Sequence, residues 1–293
     1  MSICSERCFD NIAHHSEDIV RVTDCGNVIE ASITSFPSHI PNIVKLDKDS
    51  YIDTRTGEIK LFDHGDSRID NAQSVRQSIG RFRRVVNANV TIAEQWRFLT
   101  LTYRENMTNT KKLYNDFGNF WKRNFHPAYP DAKYISAAEP QKRGAWHLHL
   151  LVGFPYEAPF IPSADVARMW KHGFVKVQSV SGKIDNIGAY LSAYLSNMAL
   201  DEDDVPFPDM EGGTIPKNVI KGARLKLYPV GMRMFRWSKG IIVPETVEMS
   251  ENELVELTGG IQPSYEQTKR ISDTEANFDG IINYRQFKKG YTK

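Results

Sequence analysis

The segment from Glu139 to His149, EPQKRGAWHLH, combines one carboxylate and two imidazoles at a spacing that suits a metal ion. Alternate side chains of a β-strand lie on one face of a sheet, so His147 and His149 share a face. If a hairpin centres near Arg143, Glu139 lies across from His147 on that face, whereas a shifted register removes Glu139 from the site. Three protein ligands with coordination positions left open are typical of a catalytic metal site.

The metal itself is not fixed by this spacing, because a mixed nitrogen and oxygen ligand set admits magnesium, manganese or zinc. A lone His-x-His on a strand is coincidental or structural about half the time. Here His147 and His149 interrupt the otherwise apolar run WHLHLLV, and two unpaired polar rings are costly to bury. The pattern therefore favours metal ligation or exposure in a cleft.

A second segment, GAYLSAYLSN, places Tyr190 and Tyr194 four residues apart. On a helix, two phenols at this spacing lie on one face, one turn apart. Tyrosines at helical spacing are usually packing residues. The apolar stripe of this helix can instead be supplied by Ile187, Leu191 and Leu195. The two tyrosines then flank the stripe, where their hydroxyls could reach the metal-bearing face.

The elements that position these residues alternate between strand and helix. In chain order, the patterns predict a strand at 96–103, a helix at 109–125, strands at 133–139 and 146–152, a helix that Ser163 caps and that runs to about Lys171, a strand at 174–180 and a helix at 184–198. The order β-α-β-β-α-β-α is that of ferredoxin-like and RRM-like sheets. The predicted class is therefore α+β, with packed helices on a mainly antiparallel central sheet.

The flanking segments have weaker patterns. Residues 1 to about 45 show little periodicity and predict an irregular extension. Residues 51–60 predict a hairpin, and residues 74–86 predict a basic helix. We expect three regions: an N-terminal extension at 1–90 with the hairpin and basic helix, a core at 91–200, and an acidic loop with a basic segment at 201–293 that packs on the core. The loop over residues 200–211 is predicted to be mobile.

The net charge of +1 conceals a segregated distribution. Residues 71–150 carry thirteen Lys and Arg against five Asp and Glu, and residues 212–240 carry seven and no acid. Basic blocks suit contact with a phosphate backbone, although a solvated face has the same composition. The candidate DNA contacts are Arg81, Arg83, Arg84, Lys122, Arg123, Arg143, Lys226, Arg233 and Arg236. Beside the last of these, Trp237 could stack on a base.

Composition argues against several classes of protein. The odd number of cysteines and the lack of a signal-peptide pattern argue against a disulfide framework and favour a cytoplasmic location. No apolar run is long enough to cross a membrane, and the lack of a Walker A pattern argues against an attached helicase motor. A zinc site is an open alternative, although its C-x3-C spacing matches zinc fingers poorly. Its ligands would be Cys4, Cys8, Cys25 and either His14 or His15.

Together, these motifs resemble those of the HUH endonuclease superfamily, specifically the rolling-circle replication initiators of bacterial plasmids and phages. FLTLTY at 98–103 resembles the first motif of the family, EPQKRGAWHLHLLV its metal-binding motif, and IGAYLSAYL its tyrosine motif. The resemblance covers roughly residues 96–198. The flanking segments KLDKDSYIDTRTGEIK and KGARLKLYPVGMRMFRWSKGI are similar to rolling-circle replication proteins of Firmicutes elements.

The resemblance implies an enzyme that nicks and rejoins single-stranded DNA at an origin hairpin. Tyr190 or Tyr194 would attack the scissile phosphate, leaving a 5′-phosphotyrosine and a free 3′-OH that primes synthesis. Glu139, with the two histidines, would hold manganese or magnesium in preference to zinc. A host helicase and polymerase would be partners. Many relatives have a lysine where this chain has Ala193, which leaves open which tyrosine attacks first and whether Lys183 substitutes.

Three other interpretations stay open at this point. A transposase or conjugative relaxase of the same superfamily shares the paired histidines and the tyrosine chemistry. A non-catalytic nucleic-acid-binding module with an RRM-like sheet would bind DNA without cutting it. A metallohydrolase that uses water would cut DNA without leaving a covalent adduct. The similarity in the flanking segments favours the replication initiator.

Overall fold

In the computed structural model, antiparallel sheets dominate both of the units into which the chain divides. The structure describes residues 3–8, 14–35, 43–47, 49–54, 56–62, 72–141, 143–180, 227–273 and 278–289. One unit comprises Met1–His64 with Pro244–Lys293, and the other comprises Gly65–Val243. The helix predicted at 184–198 and the acidic loop predicted at 200–211 lie outside the described residues.

Fourteen strands and five α-helices are defined within the described ranges. The strands are β1 (Ile3–Cys8), β2 (Ile19–Cys25), β3 (Val28–Thr34), β4 (Ile43–Lys45), β5 (Ser50–Asp53), β6 (Ile59–Leu61), β7 (Trp96–Thr102), β8 (Lys133–Pro140), β9 (Trp146–Gly153), β10 (Val175–Ser179), β11 (Phe235–Trp237), β12 (Thr246–Ser250), β13 (Tyr265–Asp273) and β14 (Phe278–Lys288). The helices are α1 (Ala72–Asn89), α2 (Thr110–Asn119), which continues as a π-helix (Phe120–Phe125), α3 (His126–Ala128), α4 (Ser163–Trp170) and α5 (Glu251–Thr258).

The unit Gly65–Val243 is built on a five-stranded sheet in the order β10-β7-β9-β8-β11, with every pair antiparallel. Its first four strands alternate with α2 and α4 in the β-α-β-β-α-β order of ferredoxin-like folds. The predicted α+β class and the six predicted elements from 96 to 180 are confirmed. The side chain of Asn109 accepts the N–H of Lys112 and so caps the start of α2.

The two faces of this sheet pack against different helices. On one face, Leu99 and Leu150 belong to a large apolar cluster with Phe120 and Trp121 of the π-helix and Trp170 of α4. On the other face, α1 covers only the part of the sheet that is apolar. That part contributes Phe98, Ile135 and Leu151, which pack against Phe82, Val85 and Val86 of α1. The remainder of the second face carries polar side chains, because the alternation of β7 and β9 places threonines and histidines there.

The prediction that Ser163 caps its helix is wrong. Ser163 is the first residue of α4, and its hydroxyl accepts the backbone N–H of Val177, 3.2 Å away in β10. Pro162 occupies the N-cap position with an extended backbone, and its ring fixes φ in the range that it adopts, −63°. The serine side chain therefore joins the helix to the neighbouring strand.

The prediction of an irregular extension over residues 1–45 is also wrong. The strands β1, β2 and β3 belong to a six-stranded sheet in the order β1-β13-β14-β3-β2-β12, and β2 and β3 form a hairpin around Gly26 and Asn27. The pattern was weak because β3 is buried on both faces along its first four residues and so does not alternate. The hairpin predicted at 51–60 is confirmed by the pairing of β5 with β6.

A buried ion pair holds α5 to the six-stranded sheet. Arg285 of β14 donates from Nη1 and Nη2 to the two carboxylate oxygens of Glu251, each at 2.6 Å. Both side chains are largely buried, with 6% and 11% exposure for Arg285 and Glu251. Removal of either partner would leave the other charge unpaired inside the protein.

We expect Glu251→Gln to lower the free energy of unfolding by about 3–5 kcal/mol, because a buried guanidinium loses its charge partner. Urea titration followed by circular dichroism measures this change. Glu248→Gln is the matched control, since its carboxylate lies 3.9 Å from Arg21 and both side chains are 63% exposed. It should cost less than about 1 kcal/mol. Equal losses in the two variants would contradict a special role for the buried pair.

No helix within the described ranges is both long enough and apolar enough to span a membrane.

Candidate metal centre

The hairpin of β8 and β9 brings Glu139, His147 and His149 together. Glu139 pairs with His147 across the two strands, and Ala137 pairs with His149. The turn between the strands places Gly144 at a φ of 90°, a left-handed conformation that glycine adopts without strain. The predicted cross-strand register, which keeps the carboxylate on the same face as both imidazoles, is thereby confirmed.

Two of the three distances in this group are short. The Nε2 atoms of His147 and His149 each lie 3.0 Å from Oε2 of Glu139, and the ligand atoms of all three residues lie within 4.8 Å of one another. Bonds of about 2.1 Å to a common ion hold neighbouring donors about 3.0–3.4 Å apart. The donor set therefore fits a divalent metal, and the group could bind one.

Burial and hydrogen bonding keep the carboxylate of Glu139 charged. Glu139 is 4% exposed and His149 is 3% exposed. Burial alone raises the pKa of Glu139, but hydrogen bonds from His147 and His149 outweigh it and lower this pKa to about 2. The carboxylate is consequently ionised at neutral pH, which is the form that binds a cation.

Strand β7 supports the ring of His149 from the side. Thr100 pairs with His149 across β7 and β9, and its Oγ1 lies 3.3 Å from Nδ1 of that ring. The ring of Phe98 stacks on the imidazole with centroids 5.5 Å apart and planes 10° apart. These contacts direct Nε2 toward Glu139. Partners of this kind fix the tautomer and orientation of metal-binding histidines.

We expect Thr100→Val to weaken manganese binding by about tenfold, because it removes the hydroxyl beside Nδ1 and keeps the β-branched shape. Isothermal titration calorimetry on the metal-free protein measures the affinity. Thr102→Val is the control on the same strand, since the hydroxyl of Thr102 donates to the carbonyl of Phe174 at 2.8 Å. Wild-type affinity in Thr100→Val would show that this hydroxyl does not position the ring.

The candidate DNA contacts lie in several separate places. Arg81 is exposed on α1, where Arg83 and Arg84 are half-buried, and Lys122 and Arg123 are exposed on the π-helix. Arg143, at the tip of the β8–β9 hairpin, donates to the side chain of Gln141 and to the carbonyl of Tyr103. Arg81, Arg233 and Arg236 line one cleft together with Trp237. The candidates Tyr190, Tyr194, Lys183 and Lys226 lie outside the described residues.

The sequence analysis missed Thr100 and the way in which three of the arginines converge. A signal for Thr100 was present, because FLTLT places Thr100 and Thr102 in alternation with leucine, on the face that β9 fills with histidines. The zinc site considered for Cys4, Cys8 and Cys25 stays untested. Cys25 is buried in β2, while the side chains of Cys4 and Cys8 lie outside the part that the structure describes.

Comparison with known families gives one match. Residues 96–199 match the model of a family of replication-associated proteins, the ORF2 type. No curated protein and no solved structure matches the chain. The matched span begins at β7 and contains Glu139, His147 and His149, so the resemblance and the candidate metal centre occupy the same part of the chain. The match supports a replication-associated protein.

Proposed function

We propose that the protein initiates rolling-circle replication by nicking and rejoining single-stranded origin DNA. The observation that carries this proposal is the convergence of Glu139, His147 and His149 on a ferredoxin-like sheet, inside the span that matches a replication-associated family. Two imidazoles and a charged, buried carboxylate suit a catalytic divalent ion. We place the protein in the cytoplasm of a bacterial host, where a host helicase and polymerase would act on the nicked strand.

The nucleophile that we assign is Tyr190, with Tyr194 for a second transfer; both residues lie outside the described ranges. The phenol oxygen forms a bond to the scissile phosphorus and loses its proton. The bond from phosphorus to the 3′ oxygen breaks, and that oxygen leaves as a 3′-OH. The number of phosphodiester bonds is unchanged, so the strand can be rejoined without a nucleotide cofactor.

The residues at the candidate metal centre explain how the chain would support this transfer. A bound divalent ion, manganese or magnesium in preference to zinc, would polarise the phosphate and offset its developing charge. Glu139 supplies a full negative charge for holding that ion, and Thr100 keeps Nε2 of His149 turned toward the same point. Phe98 keeps water from one side of the imidazole, which strengthens the local electrostatic interactions.

The proposal is tested with single-stranded oligonucleotides of the replicon's own origin, labelled at the 5′ or the 3′ end. The protein is incubated with manganese, magnesium, zinc or EDTA, and the products are separated on a denaturing gel and analysed by mass spectrometry. We expect a covalent adduct on the 5′ end of the downstream fragment that depends on the metal. Binding without cleavage on a verified origin would favour the non-catalytic module, and cleavage without an adduct would favour a metallohydrolase.

A further inference from the structure

A cleft of about 750 Å³ lies beside β11, the edge strand of the five-stranded sheet. One wall is formed by α1 and the other by residues 232–237. The lining combines three arginines with three aromatic side chains: Arg81, Arg233, Arg236, Tyr134, Phe235 and Trp237. No acidic side chain belongs to this lining within the described ranges. The cleft is therefore basic and aromatic at once.

Two of the arginines already stack on aromatic rings. The guanidinium carbon of Arg236 lies 3.3 Å from the centroid of the Tyr114 ring, and that of Arg81 lies 5.5 Å from the ring centroid of Trp237. Stacking fixes the plane of a guanidinium and leaves its N–H groups at the rim, where they can meet the oxygens of a phosphate. Nε of Arg236 is buried without a hydrogen-bond partner among the described residues, which is a costly state for a donor.

The aromatic residues give the cleft a second chemical character. Phe235 stacks on Phe82 of α1 with centroids 4.3 Å apart, which fixes the floor, and Trp237 is only half-buried. A basic groove with aromatic faces is the arrangement on which single-stranded nucleic acids bind, because bases stack on the rings and phosphates meet the cations. The volume is that of a small-molecule pocket, so it suits a nucleotide or two and not a folded partner.

The cleft is also close to the candidate metal centre. Phe235 pairs with Ala137 of β8, two residues before Glu139, and the N–H of Ala138 donates to the carbonyl of Met234 at 2.9 Å. From the spacing of strands and residues, Phe235 and Trp237 lie about 8 and 14 Å from Glu139 along the sheet. Stacked nucleotides repeat about every 3.4 Å, so the cleft lies about two to four nucleotides from the metal centre.

We propose that this cleft holds a nucleotide of the single-stranded DNA about two to four positions from the phosphate at the metal centre. Arg81 and Arg233 contact its phosphates, and Trp237 stacks on its base. The identity of the ligand as single-stranded DNA rests on the proposed function. The cleft thus deepens that function, since it selects where along the strand the chain is held while the metal centre acts.

Charge reversal at the rim tests the proposal. Arg81→Glu combined with Arg233→Glu should weaken the binding of a fluorescein-labelled single-stranded origin oligonucleotide by about tenfold or more, as measured by fluorescence anisotropy of the full chain in EDTA. The slope of log K against log salt should become shallower by about 1.4, because each lost single-strand phosphate contact contributes about 0.7. Lys122→Glu combined with Arg123→Glu is the control, with the same change of charge on the π-helix that packs on the opposite face.

Equal losses in the two double variants would overturn the proposal, because they would show a general electrostatic effect. Unchanged affinity in the Arg81 and Arg233 variant would overturn it as well and would leave the cleft to another ligand, such as an acidic peptide. If charge reversal prevents folding, Arg81→Gln with Arg233→Gln replaces it, with thermal unfolding as the check. Photocrosslinking of an oligonucleotide with 5-iododeoxyuridine should map to Trp237 or Phe235. Because these assays contain no metal and need no cleavage, they succeed or fail independently of the nicking chemistry.

Discussion

Glu139→Gln should abolish manganese binding and nicking together. The substitution removes the only carboxylate of the Glu139, His147 and His149 group, and its amide can present an N–H to an imidazole nitrogen that must instead bind the ion. A metal contributes several kcal/mol to stabilising the transition state of such a transfer. We therefore expect the nicking rate to fall on the order of a thousandfold. Isothermal titration should show a parallel loss of manganese affinity.

The matched control for this prediction is Glu157→Gln, which makes the same change at an exposed position outside the candidate metal centre. It should bind manganese and nick DNA as the wild type does. The backbone pairing of β8 with β9 does not depend on the side chain of Glu139, so circular dichroism should be unchanged in both variants. Manganese binding of wild-type affinity in Glu139→Gln would remove the carboxylate from the ligand set and with it the proposed centre.

Tyr190→Phe combined with Tyr194→Phe should eliminate the covalent adduct and leave DNA binding in EDTA unchanged. The double substitution removes two phenol oxygens and no other heavy atoms, so every reaction through a phosphotyrosine at these positions is blocked. Tyr190→Phe alone should lower the first cleavage by about a thousandfold, on the assignment of Tyr190 as the first nucleophile. Tyr194→Phe alone should cut once and fail to transfer the strand again. Mass spectrometry of the tryptic adduct identifies the tyrosine.

Tyr265→Phe is the control for loss of a phenol at an exposed position in the other unit, where the tyrosine is 45% exposed. It should form the adduct at the wild-type rate. An adduct that persists in the double variant would assign the reaction to a different nucleophile. Cleavage that persists without an adduct would show that water attacks the phosphate, and the protein would then be a metallohydrolase.

The central sheet could be predicted from the sequence because its signals are local. Alternation along 96–103 and 146–152 identifies β7 and β9 directly, and the turn around Gly144 sets their partner β8 in the register that pairs Glu139 with His147. Once that register is known, the carboxylate and both imidazoles must share a face. The candidate metal centre therefore follows from a stretch of eleven residues, 139–149.

The features that could not be predicted depend on segments far apart in the chain. Arg81 and Trp237 line one cleft only because β11 pairs with β8, and the three residues of β11 carry too little pattern to be recognised as a strand. The six-stranded sheet joins β2 and β3 to β12, β13 and β14 by backbone pairing, which leaves almost no trace in local periodicity. Ser163 was misplaced because its hydroxyl has a second acceptor role, toward β10, that only the packed structure creates.

The pairing of β3 with β14 has a consequence for the order in which the chain folds as it leaves the ribosome. Ser35 accepts the N–H of Ile281 across a separation of 246 positions, so this edge of β3 has no strand partner until late in synthesis. The unit Gly65–Val243 emerges before β13 and β14 and can fold first, as domains generally do. The β2–β3 hairpin must wait meanwhile with an exposed edge, which is a site for aggregation. We expect nascent chains stalled before residue 278 to carry a folded metal-bearing sheet and to depend on chaperones for the remainder.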